Sequence, residues 1–425
     1  MQPRFDSLSE WLNWQESLHW ADIDLGLDRL REVAQNMDLL EVPFSIITVA
    51  GTNGKGSTVA MLEAMLLAQG YQTGSYTSPY LYRYNERIKL SGNEVSDTLI
   101  CNAFQAIDDA RGDTSLTYFE FATLAAIWIF KQQGVQIAIL EVGMGGRLDA
   151  VNLWDSDVAV ITSIGIDHVK WLGDNREDIG REKAGIMRRT RPVVCGDLDP
   201  PDSISRQAEK LGAILYQAGE YFTWAVTNSY DEHWQLRCGT KQWAELPVPS
   251  LKGDFQINNA AIAITTLHLL QQTFPVSDEA IKTGLQTVKL AGRLEQIQQQ
   301  PAIILDVAHN AHAARQLAKW LASTPCDGNT YALFSMLDDK DIAVVAQVMH
   351  EVIDRWFVAG LDDVRGLKVD VLVDKMCLPE DLKPQVHASE TLKEAWNECK
   401  KQAKERDRII VFGSFMVLSQ FKVIF

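Results

Sequence analysis

Residues 49–58 read VAGTNGKGST, and residues of these types suit one task, the holding of phosphate. Gly51, Gly54 and Gly56 allow close backbone approach, and their N–H groups fall where a helix would begin. Lys55 can neutralise β- or γ-phosphate charge, and Ser57 or Thr58 can reach a metal-bound oxygen. The spacing departs from the usual G-x-x-x-x-G-K-[ST] loop. Only two residues separate Gly51 from Gly54, and Gly56 intervenes between Lys55 and Ser57. The plain structural alternative is a glycine-rich turn with an incidental lysine.

Further along, LEVGMGGRLDAVN (140–152) puts Glu141 at the carboxyl end of an apolar strand, where open α/β sheets place ligands. Gly143, Gly145 and Gly146 let backbone approach a ligand, and Arg147 and Asp149 add polar groups; alternatively, the glycines only serve turns. TSIGIDH (162–168) ends another apolar run with Asp167 and His168. His168 and Glu141 could then share a site, although Mg²⁺ prefers oxygen and histidine is an unusual ligand for it. GREKAG (180–185) is helical and charged, and by spacing alone Lys183 reads as a solvated surface lysine. AGRLE (291–295) and LDVAHNAHA (305–313) follow, with Asp306 at a strand end and His309, Asn310 and His312 after it. Asn310 as a helix cap with surface histidines explains that cluster equally well.

The elements that must position these residues are legible in the apolar pattern. FSIITVAG (44–51) reads as a strand and STVAMLEAMLLAQG (57–70) as a helix, the frame a phosphate site requires. QIAILEVG (136–143), DVAVITSIG (157–165) and RPVVCGD (191–197) repeat the strand pattern, and residues 118–133 form an intervening helix. Continuous apolar strands alternating with helices predict a parallel sheet covered on both faces. Residues 222–245 alternate like antiparallel strands, and 255–272 and 277–288 read as helices. After a break near 289–300, four more apolar strands alternate with helices, which predicts a second α/β unit. Domains are accordingly expected over 1–288 and 289–425.

Composition bounds the function. A chain of 425 residues exceeds one ordinary core. Its net charge of −16 argues against a nucleic-acid backbone as partner. The six cysteines are scattered without a C-x-x-C pair and read as reduced thiols. MQPRFDSLSEWLNW lacks the apolar core of a signal peptide, and no apolar run has membrane-spanning length. A cytoplasmic location is expected.

TVAGTNGKGS, TSPYL, LEVGMGGRLDAVN, TSIGIDH, GREKAGI, GRLE and LDVAHNAHAA, in this order from about residue 22 to residue 415, resemble the folylpolyglutamate synthase/dihydrofolate synthase family of the Mur-ligase superfamily. The resemblance implies a P-loop-type, mostly parallel sheet domain followed by a smaller Rossmann-like α/β domain. It explains the loop spacing, since G-T-N-G-K-G-[ST] is the family's own phosphate loop. It implies ATP contacts at Gly54, Lys55, Gly56, Ser57, Asn259, Arg293 and Asp306. It implies two Mg²⁺ ions at Ser78, Glu141, His168 and a carbamylated Lys183, with Lys55, Lys183 and His168 as catalytic residues. ADIDLGLDR (21–29) resembles the bacterial bifunctional branch, so Asp22, Ile23 and Asp24 would hold dihydropteroate. Thr117, Tyr118, Phe119 and Glu120, with Leu148, Asp149 and Ala150, would line the same pocket. Asp22 or Asp24 could instead cap a helix beginning near Leu25. The chain departs from relatives in reading GDFQINN, AGR and HNAH where GxHNxxN, PGR and HNPH are usual.

The implied reaction is an ATP-dependent ligation of L-glutamate to dihydropteroate and to reduced folates by a monomeric enzyme, through an acyl phosphate. Two domains closing over the site would exclude water. Lys340 and Asp341 are loop candidates for handling glutamate. Two alternatives stand beside it: an enzyme restricted to folate polyglutamylation, and a nucleotide-gated switch that uses ATP hydrolysis to change shape.

Overall fold

Strand β1 (Ser45–Ala50) is buried over all but its first residue, as its β-branched run requires of a strand covered on both faces. It lies inside a sheet seen in a computed structural model that describes residues 3–21, 23–226, 233–363, 365–379 and 385–425. Around β1 stand β2 (Thr73–Tyr76), β3 (Ile88–Leu90), β4 (Asn93–Glu94), β5 (Ile137–Glu141), β6 (Val158–Ile161), β7 (Pro192–Cys195) and β8 (Ile214–Gln217). Among the described residues these eight strands run in the order β4-β3-β2-β5-β1-β6-β7-β8. The pairs from β2 to β8 are parallel, and β2–β3 and β3–β4 are antiparallel. The sheet is therefore mostly parallel, as the apolar pattern predicts. Its antiparallel edge was not legible, because three- and two-residue strands carry too little periodicity.

The order fixes where a ligand can sit. The chain leaves β1 for β2, returns to fill the gap with β5, then crosses to the far side of β1 as β6. Such a reversal opens a crevice at the carboxyl ends of the central strands. An aromatic cluster of Trp11, Tyr84, Phe104, Phe121 and Tyr118, ring centroids 5.3–5.8 Å apart, packs beside β2 and β3. Strands β9 (Phe222–Val226), β10 (His233–Cys238) and β11 (Lys241–Pro247) form a separate antiparallel sheet, matching the alternation in this stretch.

The chain divides into two compact units: Met1–Ser250 with Ile257–Val288, and Leu251–Gln256 with Lys289–Phe425. In the second unit β12 (Glu295–Gln299), β13 (Ala302–Leu305), β14 (Thr330–Phe334), β15 (Arg355–Ala359), β16 (Val386–Ser389) and β17 (Arg408–Phe412) run in the order β12-β13-β17-β14-β15-β16. All its pairs are parallel except β12–β13. Among the described residues no helix is long and apolar enough to cross a membrane.

Candidate active site

Gly51 follows β1, and a Cβ there would lie 1.9 Å from Thr162 Oγ1. Glycine is thus what lets the loop lie against the exit of β6. Thr52 N–H donates to Ser163 O at 2.8 Å, Asn53 N–H to Ser163 Oγ at 3.1 Å, and Thr162 Oγ1 to Asn53 O at 2.7 Å. Gly54 takes a left-handed conformation at φ +88°, with Asn259 Oδ1 only 2.5 Å from where a Cβ would stand. The helix Lys55–Gln69 starts there. The N–H groups of its first turn have no intrahelical acceptor and aim their partial positive charge at the crevice. Lys55 Nζ donates back to Gly51 O and Thr52 O at 3.0 and 3.3 Å, which arches the cation over the loop.

Neighbouring strand ends bring up the next residues. Glu141, last in β5 and paired with Val49 of β1, is buried. Its Oε2 accepts the Ser78 backbone N–H at 3.3 Å, and Ser78 stands two residues beyond β2. On the other side of β1, the chain leaving β6 runs to an exposed His168 at φ 53°. Strand order therefore sets Ser78, Glu141, the 51–57 loop and the 162–168 segment along one sheet edge.

Lys183 is the main correction to the reading from spacing. It ends the helix Arg176–Lys183 and is 3% exposed rather than solvated. The cause is the glycine loop. A Cβ on Gly146 would lie 2.8 Å from Glu182 O and 3.1 Å from Lys183 Cα. Gly146 thus allows approach of a helix, where the sequence suggested a ligand or a turn. Burial pushes the Lys183 ammonium down to about 7, Lys55 acts in the same direction, and Asp167 and Asp149 oppose it. Asp149, itself buried, has its carboxyl pushed up to about 7 by desolvation, against the Met144 and Val151 N–H groups at 2.9 and 3.1 Å and the charge of Lys55. Lys55, Lys183 and Asp149 thus share one electrostatic neighbourhood.

The donor set suits a hard cation in part. Glu141 and the Ser78 hydroxyl offer oxygen, and His168 offers nitrogen. Lys183 as an ammonium repels a cation, whereas its carbamate would supply carboxylate oxygens. Among the described residues no group of three or more His, Cys, Asp and Glu side chains could hold a metal ion.

The sequence matches the Mur ligase middle domain over residues 49–267 and the Mur ligase glutamate ligase domain over residues 292–415. It is 40% identical to the dihydrofolate synthase/folylpolyglutamate synthase of Escherichia coli (strain K12) over 408 residues, 96% of this chain and 93% of that one. The chain belongs to the dihydrofolate synthase/folylpolyglutamate synthase family of Mur ligases. Its structure resembles E. coli FolC in complex with DHPP and ADP at a TM-score of 0.92, 40% identity and 99% and 97% coverage of the two chains. It also resembles the Yersinia pestis bifunctional folylpolyglutamate synthase/dihydrofolate synthase complexed with AMPPNP and Mn ion, at TM-score 0.90, 43% identity and 100% and 99% coverage.

The segments that the family resemblance assigns to a pterin are held by side-chain bonds the sequence did not reveal. Asp22 lies outside the described residues, and Ile23 is exposed. Asp24 caps no helix, because the helix begins at Asp28 with Leu27 as its N-cap. Instead Asp24 Oδ2 accepts from Arg29 Nη1 at 2.5 Å and lies 3.1 Å from His19 Nε2. Arg29 Nε reaches Glu120 Oε2 at 2.9 Å, so it ties this loop to the helix Tyr118–Gln132. Thr117 and Glu120 form that helix's capping box through Glu120 Oε2. Glu120 Oε1 is buried without a hydrogen-bond partner among the described residues, and Tyr118 and Phe119 are half-buried at the helix's first turn. Asp149 spends its oxygens on backbone N–H groups and caps the turn Ala150–Leu153, and Leu148 beside it is half-buried.

In the second unit, Asp306 is buried after β13 and accepts from Leu294 N–H at 3.0 Å and Ala308 N–H at 2.9 Å. It thereby fastens the turn carrying Arg293, whose guanidinium lies 5.3 Å from the Phe415 ring centroid. Burial raises the Asp306 carboxyl, and Arg293 opposes that shift. Asn310 caps the helix Ala311–Ser323, as the simpler reading of that cluster expects. Asp341 likewise caps the helix Ile342–Met349, and the Lys340 side chain is largely buried.

Proposed function

We propose that the chain uses ATP to join L-glutamate to the carboxylate of dihydropteroate and to the glutamyl end of reduced folates. The observation that carries this reading is the 51–57 loop, which sets a helix N-terminus and the cation of Lys55 against the segment leaving β6, at the carboxyl ends of the central strands. A neighbourhood of that kind calls for a polyanion. Family membership supplies the class of reaction.

In the proposed sequence, a carboxylate oxygen of the acid attacks the γ-phosphorus of ATP and the bond to ADP breaks. The glutamate amine then attacks the acyl phosphate carbonyl, loses a proton and expels phosphate. Gly54, Lys55, Gly56 and Ser57 hold phosphate oxygens, with Asn259 beside Gly54. Charge stabilisation of the transferring phosphoryl group is the main task of such residues. Arg293 and Asp306 are proposed ATP contacts on the resemblance alone. Ser78, Glu141, His168 and carbamylated Lys183 are proposed to hold two Mg²⁺ ions, which when bound neutralise phosphate oxygens. Lys183 suits carbamylation because only the neutral amine reacts with CO₂, and a group titrating at about 7 is about half neutral at that pH. Ile23, Asp24, Tyr118 and Phe119 are proposed pterin contacts. Action as a monomer in the cytoplasm is part of the proposal.

The test measures ADP release with glutamate and either dihydropteroate or tetrahydrofolate. Turnover with both acids is expected. Turnover with tetrahydrofolate alone would restrict the enzyme to polyglutamylation, and ATP hydrolysis without any acid would favour the switch.

A further inference from the structure

Arg87 stands at the boundary between the phosphate edge and the pterin segments. It immediately precedes β3, and Thr77 N–H donates to its carbonyl at 2.9 Å. Its backbone therefore lies opposite the residue before Ser78. The side chain is buried at 8% exposure. Its Nε and Nη1 have no hydrogen-bond partner among the described residues, and the Tyr84 hydroxyl beside it has none either. The guanidinium carbon lies 5.1 Å from the Tyr80 ring centroid and 5.6 Å from those of Tyr84 and Tyr118.

Rings of this kind attract a cation and hold it in place, and the Tyr76 hydroxyl is a hydrogen-bonding partner of Arg87, but Nε and Nη1 stay unpaired among the described residues. A buried charge without an opposite charge, and with unpaired donors, is a costly arrangement. It is retained where a ligand supplies the missing partner. The fork of a guanidinium matches a planar carboxylate, which can take two parallel N–H bonds. Tyr118, one of the rings that fix the fork, also belongs to the segment assigned to the pterin.

We infer that Arg87 is a substrate-binding residue that takes the reacting carboxylate of the pterin acid, holding it near the strand edge that bears Ser78. This rests on the ligase reading and extends it. Neutralising the carboxylate would let one anion approach another, the γ-phosphate, while the tyrosines fix the direction from which it comes.

The experiment compares two ligands in two proteins, with Mg²⁺ and a non-hydrolysable ATP analogue present. The ligands are dihydropteroate and the same pterin bearing aniline in place of p-aminobenzoate. The native chain is expected to bind the acid about tenfold or more tightly than the aniline analogue, and Arg87→Met to lose that preference. Arg87→Lys keeps the charge without the fork and should retain part of it. An equal loss for both ligands in Arg87→Met, or an unchanged preference, overturns the inference while leaving the ligase reading intact. If both variants fail to fold, the guanidinium is a core group and the inference falls. If the native chain binds no dihydropteroate, the ligase reading falls as well.

Discussion

At the scale of single residues, Lys55 and Lys183 make opposite demands on their surroundings. Lys55 must stay charged, and its bonds to Gly51 O and Thr52 O hold it over the loop. Its charge should matter most as the γ-phosphoryl group transfers, so Lys55→Ala is expected to lower kcat by about 10²-fold or more. Near-normal turnover in a folded variant would contradict that role. Lys183, if it is to take up CO₂ as proposed, must lose its proton. Unfolded, it titrates near 10.5, and folded at about 7. Between those values the unfolded chain holds the extra proton, so stability rises with pH through that window. Below it both states are protonated and the folded one carries the full penalty of burial. In CO₂-free buffer, the melting temperature of the native chain should therefore rise relative to that of Lys183→Met as pH increases from about 7 to 9. Asp149 works in the opposite sense, but only between 3.8 and about 7, where its folded carboxyl keeps a proton the unfolded one has lost. A parallel pH dependence in the two proteins would refute the depressed value. The spacing of GREKAG pointed to a surface lysine because burial there comes from Gly146, far away in sequence, and no local pattern records such a contact.

At the scale of elements, the segments proposed to hold the pterin are a loop fastened to a helix. Arg29 bridges Asp24 and Glu120, and Glu120 also closes the capping box with Thr117. Asp24→Ala should remove both a pterin contact and one anchor of the loop. The expected result is a fall in kcat/KM for dihydropteroate that exceeds the fall for tetrahydrofolate. A lower melting temperature with an unchanged ratio of the two activities would leave Asp24 as an anchor only. Long apolar elements were legible: β1, β5, β6, β7 and the helices Lys55–Gln69 and Tyr118–Gln132 lie where their periodicity placed them. β2, β3, β4, β8, β12 and β16 were not read. They are short, and several are half-exposed, so tertiary pairing rather than pattern defines them. Arg87 went unnoticed for a related reason. An arginine within the polar stretch YRYNERI reads as surface, and the burial of Arg87 follows from an aromatic cluster assembled from distant helices.

At the scale of the whole chain, two α/β units were visible as two series of apolar strands, and the motif order gave the family. The assignment of Leu251–Gln256 to the second unit was not visible, since that segment runs into the first turn of the helix Phe255–Leu269, whose remainder belongs to the first. The central claim is that ATP energy passes through the substrate carboxylate into an amide bond. That claim is tested most directly by labelling both carboxylate oxygens of dihydropteroate with ¹⁸O and analysing the phosphate released on reaction with ATP and glutamate. An acyl phosphate requires one labelled oxygen to leave with each phosphate formed, so the account predicts singly labelled phosphate in step with dihydrofolate. Unlabelled phosphate accompanying ADP release would contradict it, because ATP would then have been split by water and the chain would not be acting as a ligase.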